Sequence, residues 1–430
     1  MSIYRREDRH LPVRPDLDQL KNQAKDLLHA LHSGDAAAID EFRQFHPRPV
    51  EPGEAKLTDA QLALARSYEA PSWPRLVQAC ELIDAIWLDD RDTVHRLIDK
   101  NPRLLHEPAL IRKSNWGPPM SYAANLGRDE IIKTLAELGS TDFEHALDRA
   151  VLQSKIDTAE LLHSYMGSPP PPEGALSGPA YTLSVPGTAF ALRVGARVKD
   201  DQGNRLAPVD VVLETDSRNP SAKHAILEMY VANGLELPDT PVMALHRGRI
   251  DLLEAHIERD PAVLDRTFMH EEIYPPELGC HDEVLATQGT PLGGSTLLHM
   301  CVDFDEFEIA EWLIRKGVDV NARSAIDADG FGGYTPLFST VMSQPNFWLN
   351  YSGGIGSTRF TELLLDHGAD ISIRGSIRKK LHPGYAPKFD TENWHEYRDV
   401  TAVEWGEQFH AKVFVSEAAL DLIRAVRSKA

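Results

Sequence analysis

Apolar positions at Leu17, Leu20, Ala24, Leu27, Leu28 and Leu31 recur every three to four residues, the pattern of an amphipathic helix that Gly34 ends. A second helix is expected from Asp35, carrying Ala38, Phe42 and Phe45 up to the break at His46-Pro47. A third follows Thr58 as N-cap and turns Leu62, Ala65 and Tyr68 inward. Ser72-Trp73-Pro74 opens a fourth, the serine capping and the proline in the first turn, where its missing N–H costs nothing. Residues 1–78 therefore read as a small helical module.

From about residue 80 a two-helix phrase recurs. The clearest copy runs Gly294-Ser295-Thr296-Leu297-Leu298-His299-Met300-Cys301, then Ile309 to Ile314, then Gly317-Val318-Asp319-Val320-Asn321. A second runs Gly333-Tyr334-Thr335-Pro336-Leu337-Phe338, then Phe360 to Leu365, then Gly368-Ala369-Asp370. Both resemble the ankyrin repeat, with its Thr-Pro-Leu-His opening, apolar second helix and Gly-Ala-Asp ending. Weaker copies open at Pro118, Ala146 and Thr240, Ala222–Leu235 reads as a further second helix, and Val403–Trp405 with Ala418–Ala425 as a closing pair. The ten residues from Ile98 to Glu107 are echoed from Ile257 to Arg266, as duplication would leave them. About eight helix pairs result, and each needs neighbours to bury its apolar face.

The resemblance implies an all-α ankyrin-type solenoid. Its expected parts are a capping module at 1–78, a first repeat block at 79–167, a proline-rich and β-hairpin insertion at 168–208, and a second block at 209–430. The N-terminal phrases RPDLDQLKNQAKDLL, FRQFHP and SWPRL resemble helices that precede ankyrin arrays in many bacterial proteins, which implies a bacterial origin and a cap over the first repeat.

The spacing between copies exceeds the ~33 residues of an ordinary repeat. Gly167–Pro208 begins with four prolines and continues YTLSVPGTAFALRVGARV, an alternation expected to form strands closed by a turn at Asp201-Gln202-Gly203-Asn204. Asp265–Gly293, Ala322–Gly332 and Ser372–Asp399 also fall between one second helix and the next opening, so long fingers should emerge side by side along one edge. Gln344–Ser357 interrupts a repeat between its two helices.

Chemistry concentrates in these insertions. His270, Glu271, Tyr274, His281 and Asp282 lie in one, Asp327 and Asp329 in the next, Trp348 and Tyr351 between helices, and Trp394 and His395 in the last. Gathered together, carboxylates and imidazoles suit acid–base work or a cation, and the aromatics suit a recognition surface. His299 occupies the repeat's own histidine position and is expected to satisfy backbone groups. No H-E-x-x-H spacing, nucleotide-binding glycine loop or nucleophile motif is found, and no cofactor or metal is implied.

A formal net charge of −20 disfavours nucleic acid and anionic membrane as partners. No apolar run reaches the ~20 residues needed to span a bilayer. Three cysteines without a C-x-x-C spacing fit a reducing, cytoplasmic setting. The resemblance implies a scaffold for a protein partner and carries over no catalytic residues. The alternative is a small-molecule binder or enzyme whose site is built on residues 265–293, 322–357 and 372–399.

Overall fold

The computed structural model describes residues 10–215, 219–287, 289–343, 350, 353–354, 356–386 and 388–427. Trp348 and Tyr351 lie outside the described residues. The chain divides into two compact units, Met1–Pro171 and Pro172–Ala430.

The first unit opens with three helices, α1 (Leu17–His32), α2 (Ala36–Phe45) and α3 (Leu57–Ser67). Asp16 caps α1 by accepting from Asp18 and Gln19 N–H, and Asp35 caps α2. The third helix begins two residues earlier than Thr58 as N-cap would place it. Lys56 is the N-cap, and Asp59 reaches back to the Lys56 N–H at 2.8 Å. Helix pairs follow as α4 (Trp73–Trp87) with α5 (Arg91–Lys100), α6 (Pro119–Leu126) with α7 (Asp129–Glu137), and α8 (Phe143–Leu152) with α9 (Ile156–Tyr165). α4 starts at Trp73 with Ser72 accepting from Arg75 N–H, so a boundary at 78 would cut this helix.

The second unit continues with six pairs among the described residues: α10 (Ser177–Tyr181) with α11 (Val185–Arg193), α12 (Val209–Glu214) with α13 (Pro220–Ala232), α14 (Pro241–His246) with α15 (Ile250–Arg259), α18 (Leu297–Phe304) with α19 (Phe307–Arg315), α20 (Pro336–Val341) with α21 (Arg359–Asp366), and α22 (Ala402–Gln408) with α23 (Glu417–Arg427). Short helices α16 (His270–Ile273) and α17 (Glu283–Ala286) stand in the intervening loop. First helices pack on first helices, as α18 does on α14 and α20. One continuous apolar core runs from Leu176 to Ile423.

The stretch expected to alternate as strands is instead a helix pair. Ser184 accepts from Gly187 N–H at 3.0 Å and Pro186 sits in the first turn, so cap and proline start α11 and override the alternation. Only the turn survives from that expectation, as a bridge between Lys199 and Arg205.

The repeat histidines hold neighbouring repeats together. His299 Nδ1 accepts from Thr296 N–H, and its Nε2–H donates to the Tyr334 carbonyl at 3.1 Å. His246 Nε2–H donates in the same way to Ile273 at 2.9 Å. Burial pushes the His299 imidazole down to about 4 and His246 to about 3, so both are neutral rings that tie backbone to backbone.

Candidate functional site

Main-chain bonds join the three C-terminal fingers in chain order. Phe268 N–H donates to Ser295 O at 2.8 Å, and Ala325 N–H donates to Gly294 O at 2.8 Å, which ties finger 265–293 to finger 322–332. Gly332 and Ser376 then exchange two bonds, at 2.7 and 2.9 Å, which ties finger 322–332 to finger 372–399. The last finger is an antiparallel pair, β1 (Gly375–Lys379) and β2 (His395–Val400), with Ile377 opposite Tyr397.

The first of these fingers does not simply project. Its return limb buries Ala286, Thr287, Thr290 and Leu292, and Thr290 Oγ1 donates to Met342 O at 3.5 Å. A Cβ on Gly289 would meet Asp303 Oδ1 of α18 at 2.9 Å, so this limb lies directly on the first-helix face. Together with α14, α19 and α20, it leaves all eight residues of α18 buried. Lys379, in phase with Ile377 on the inner side of β1, reaches across to donate its Nζ to the Thr287 carbonyl. Burial pushes that amine down to about 8, against the pull of Glu283 and Asp303.

A groove of about 240 Å³ opens between the fingers. Met269 and Ile326 stand at its rim, Gly293, Gly294 and Ser376 line it, and Tyr334, Phe331 and Arg378 close it. Arg378 is held by two carboxylates, Asp327 Oδ2 and Asp329 Oδ2, each at 2.8 Å. The guanidinium groups of Arg398 and Arg378 lie over the Phe331 ring at 4.1 and 4.9 Å. Trp394 is half exposed, with Arg378 6.0 Å from its ring.

The candidate residues fall into separate local roles. Tyr274 is wholly buried, packed between His270, His246 and Phe304, so it belongs to the core and cannot present a recognition surface. His270 Nε2–H donates to the His281 carbonyl at 2.8 Å and Glu271 points to solvent. His281 pairs with Glu214 at 2.7 Å, and that hydrogen bond raises its imidazole above the usual range. Asp282 caps α17. Asp327 receives Asp329 and Phe331 N–H, both at 2.9 Å, and so shapes the hairpin tip while binding Arg378. His395 donates to Asp390 at 3.2 Å and stacks on His410.

These contacts leave little for catalysis. Each imidazole is engaged by its own partner, and among the described residues no three His, Cys, Asp or Glu side chains converge as metal ligands. Burial raises Cys280 to about 12, so its thiol stays protonated beside His281. A larger groove of about 520 Å³ in the first unit is lined by Arg14, Asp16, Cys80 and Asp84. Its groups serve the fold: Arg14 pairs with Asp84 at 2.7 Å, Asp16 caps α1, and burial pushes Cys80 up to about 12.

Sequence reading missed Met269, Ile326, Arg378, Lys379 and His410. Ile326 could have been found as the lone aliphatic residue in a polar hairpin tip, and Lys379 by its even spacing from Ile377. Met269, at 57% exposure, Ile326, at 65%, and Trp394, at 50%, are large apolar side chains offered to solvent on adjacent fingers.

Residues 293–325 match the sequence model of the ankyrin repeat, the segment spanning the Gly294 to Asn321 phrase. The chain thus carries an ankyrin repeat in that segment. Solved structures similar to it include the human ASB11 ankyrin repeat domain, at 16% identity over 71% of this chain and 97% of that one, with a TM-score of 0.26. The ankyrin repeat domain of Bcl-3, described as a member of the IkappaB family, shares 15% identity over 65% of this chain and 97% of that one, with a TM-score of 0.22. Comparison with curated protein sequences returns no match. Among the described residues no helix is long and apolar enough to cross a membrane.

Proposed function

We propose that this ankyrin-repeat chain is a binding scaffold for a protein partner, and that the partner docks on the row of fingers. The observation that carries this reading is the burial of α18. Every residue of that first helix is buried, between its neighbouring helices and the return limb of finger 265–293 lying at Asp303, so the helix offers no open surface there. Three exposed apolar side chains, Met269, Ile326 and Trp394, sit together on these fingers, whereas Leu88, Tyr165 and Tyr181 are exposed elsewhere. Exposed apolar groups on adjacent, backbone-linked elements are what a docking patch requires.

The groove size argues against a small-molecule site. Pockets for drug-sized ligands hold ~300–1,000 Å³, and this one holds about 240 Å³. Its carboxylates are also committed to Arg378 rather than poised for acid–base work. A reducing, cytoplasmic setting belongs to the same proposal, supported by three cysteines without a disulfide. A bacterial source is supported by the resemblance of the N-terminal helices.

The test is a triple replacement, Met269→Ser, Ile326→Ser and Trp394→Ser, compared with wild type by cross-linking mass spectrometry in cell extract. The side chains are exposed, so the melting temperature should hold while the wild-type cross-links to partners vanish. An unchanged cross-link set from the folded triple variant would remove the fingers as the docking surface.

A further inference from the structure

Resting on the reading of the fingers as a partner surface, we infer that the groove between fingers 265–293 and 322–332 seats one apolar side chain of a protein segment whose adjacent residues are lysine or arginine. The groove volume of about 240 Å³ suits a single large side chain. Its rim is apolar and solvent-facing at Met269 and Ile326. Its wall at Gly293 carries no side chain, so a partner backbone can approach closely.

Charge selects what flanks the anchor. Finger 265–293 carries Asp265, Glu271, Glu272, Glu277, Asp282 and Glu283 against Arg266 alone, six acids less one base, a net of −5. Arg266 is already paired with Glu272. Glu283 lines the groove, where its Oε1 accepts the Gly293 N–H at 3.2 Å, and it stands in no ion pair among the described residues. Arg378, the one cation of the lining, is shared by Asp327 and Asp329, so that trio contributes a surplus negative charge rather than a positive one. An apolar anchor thus enters beside a lining that is net negative, Glu283 and Asp327 against Arg378, which attracts basic flanking residues and repels acidic ones. An acidic or phosphorylated segment would meet Glu283 and gain nothing from the occupied Arg378.

The test presents the immobilised full chain to a random twelve-residue peptide display library. Selected peptides are then measured against three variants. Gly293→Leu places a side chain in the groove at a position whose Cβ makes only ordinary contacts, 3.5 Å from Glu283 Oε1 and 3.6 Å from His270 Cβ. Glu283→Gln removes the lining charge, and Ile326→Lys changes an exposed rim residue with no demand on folding. The expected result is enrichment of an aliphatic or aromatic residue within two positions of Lys or Arg. Affinity should fall about tenfold or more in Gly293→Leu and in Ile326→Lys, and several-fold in Glu283→Gln, with weakening at high salt. Should Gly293→Leu lose its native circular dichroism, Ile326→Lys and Glu283→Gln carry the decision.

Peptides with acidic flanks, or no enrichment over a blank surface, overturn the inference. Peptides indifferent to the groove variants but lost on the Met269, Ile326 and Trp394 serine triple overturn the groove and leave the finger surface standing. Peptides indifferent to both sets overturn both readings.

Discussion

The imidazole rings of His395 and His410 lie face to face, their centroids 3.7 Å apart and their planes 10° from parallel. Tyr397 OH lies 2.7 Å from His410 Nδ1 and also accepts the His410 backbone N–H, so it fixes the ring at two points. Burial, and then the neighbouring His395, push His410 down to about 4, with Lys379 adding to the effect and Asp390 opposing it.

Acid should therefore loosen the fold before it titrates the carboxylates. His410 and His299 are held near 4 and His246 near 3, below the ordinary value of 6.5. Between the folded and unfolded values the native state binds fewer protons, so stability is full above about pH 6.5 and declines as pH falls toward 4. Each such histidine steepens the decline by about 1.4 kcal/mol per pH unit within that window. Melting temperature measured from pH 7.5 to 4 should fall, and His410→Asn should fall less steeply than wild type. A flat profile down to pH 4.5 would contradict the neutral, buried assignment.

Removing residues 1–71, which leaves α4 whole, should turn the remaining chain aggregation-prone. Within the first unit α1 and α3 pack on α4, whose Leu76, Cys80 and Ile83 are fully buried. Losing that cover bares an apolar helix face. Size-exclusion chromatography should show soluble aggregate, and a monodisperse monomer with an unchanged melting temperature would refute the cap.

Leu313 of α19 and Leu364 of α21 are completely buried second-helix residues. Truncating each to alanine should cost about 2–5 kcal/mol in denaturant unfolding, the range for buried leucines. A cost below about 0.5 kcal/mol would mean the helix faces have been assigned wrongly.

Two glycines of the finger row should respond oppositely to alanine. Gly332 has φ +127°, and a Cβ there would lie 1.9 Å from the Ala325 carbonyl oxygen. Gly332→Ala should cost about 1–3 kcal/mol and loosen the tie to Ser376. Gly293→Ala should stay within about 0.5 kcal/mol of wild type, because its Cβ meets only ordinary contacts. Equal effects from calorimetry would show that the hairpin tolerates another backbone path.

What could be read from the chain was local. Thr240-Pro241 announces a helix start because cap and proline act on their own neighbours, and Thr296 stands as N-cap of the Gly294 to Cys301 phrase without a proline. The same chemistry operates at Ser184-Val185-Pro186, where Ser184 caps α11 within a stretch whose apolar and polar positions alternate like a strand. Tyr274 could not be placed, because its burial depends on His246 and Phe304, each about thirty residues away. The fold-back of finger 265–293 was equally hidden, since it is secured by Lys379 reaching Thr287 across 92 positions of sequence. Met269 and Ile326 gave no periodic signal at all, as exposed single residues in irregular loops follow none.

The ties between Phe268 and Ser295, Ala325 and Gly294, and Gly332 and Ser376 use only amide and carbonyl groups. Side chains brace the row, as Arg378 does through Asp327 and Asp329 and Lys379 through Thr287, but the register itself is set by the main chain. Residues beyond these ties can therefore change identity, and a tip can lengthen or shorten, without disturbing the helices beneath. Specificity and scaffold are inherited separately in such a molecule. Its relatives should keep their repeat histidines while diverging most at the positions of Met269, Ile326 and Trp394.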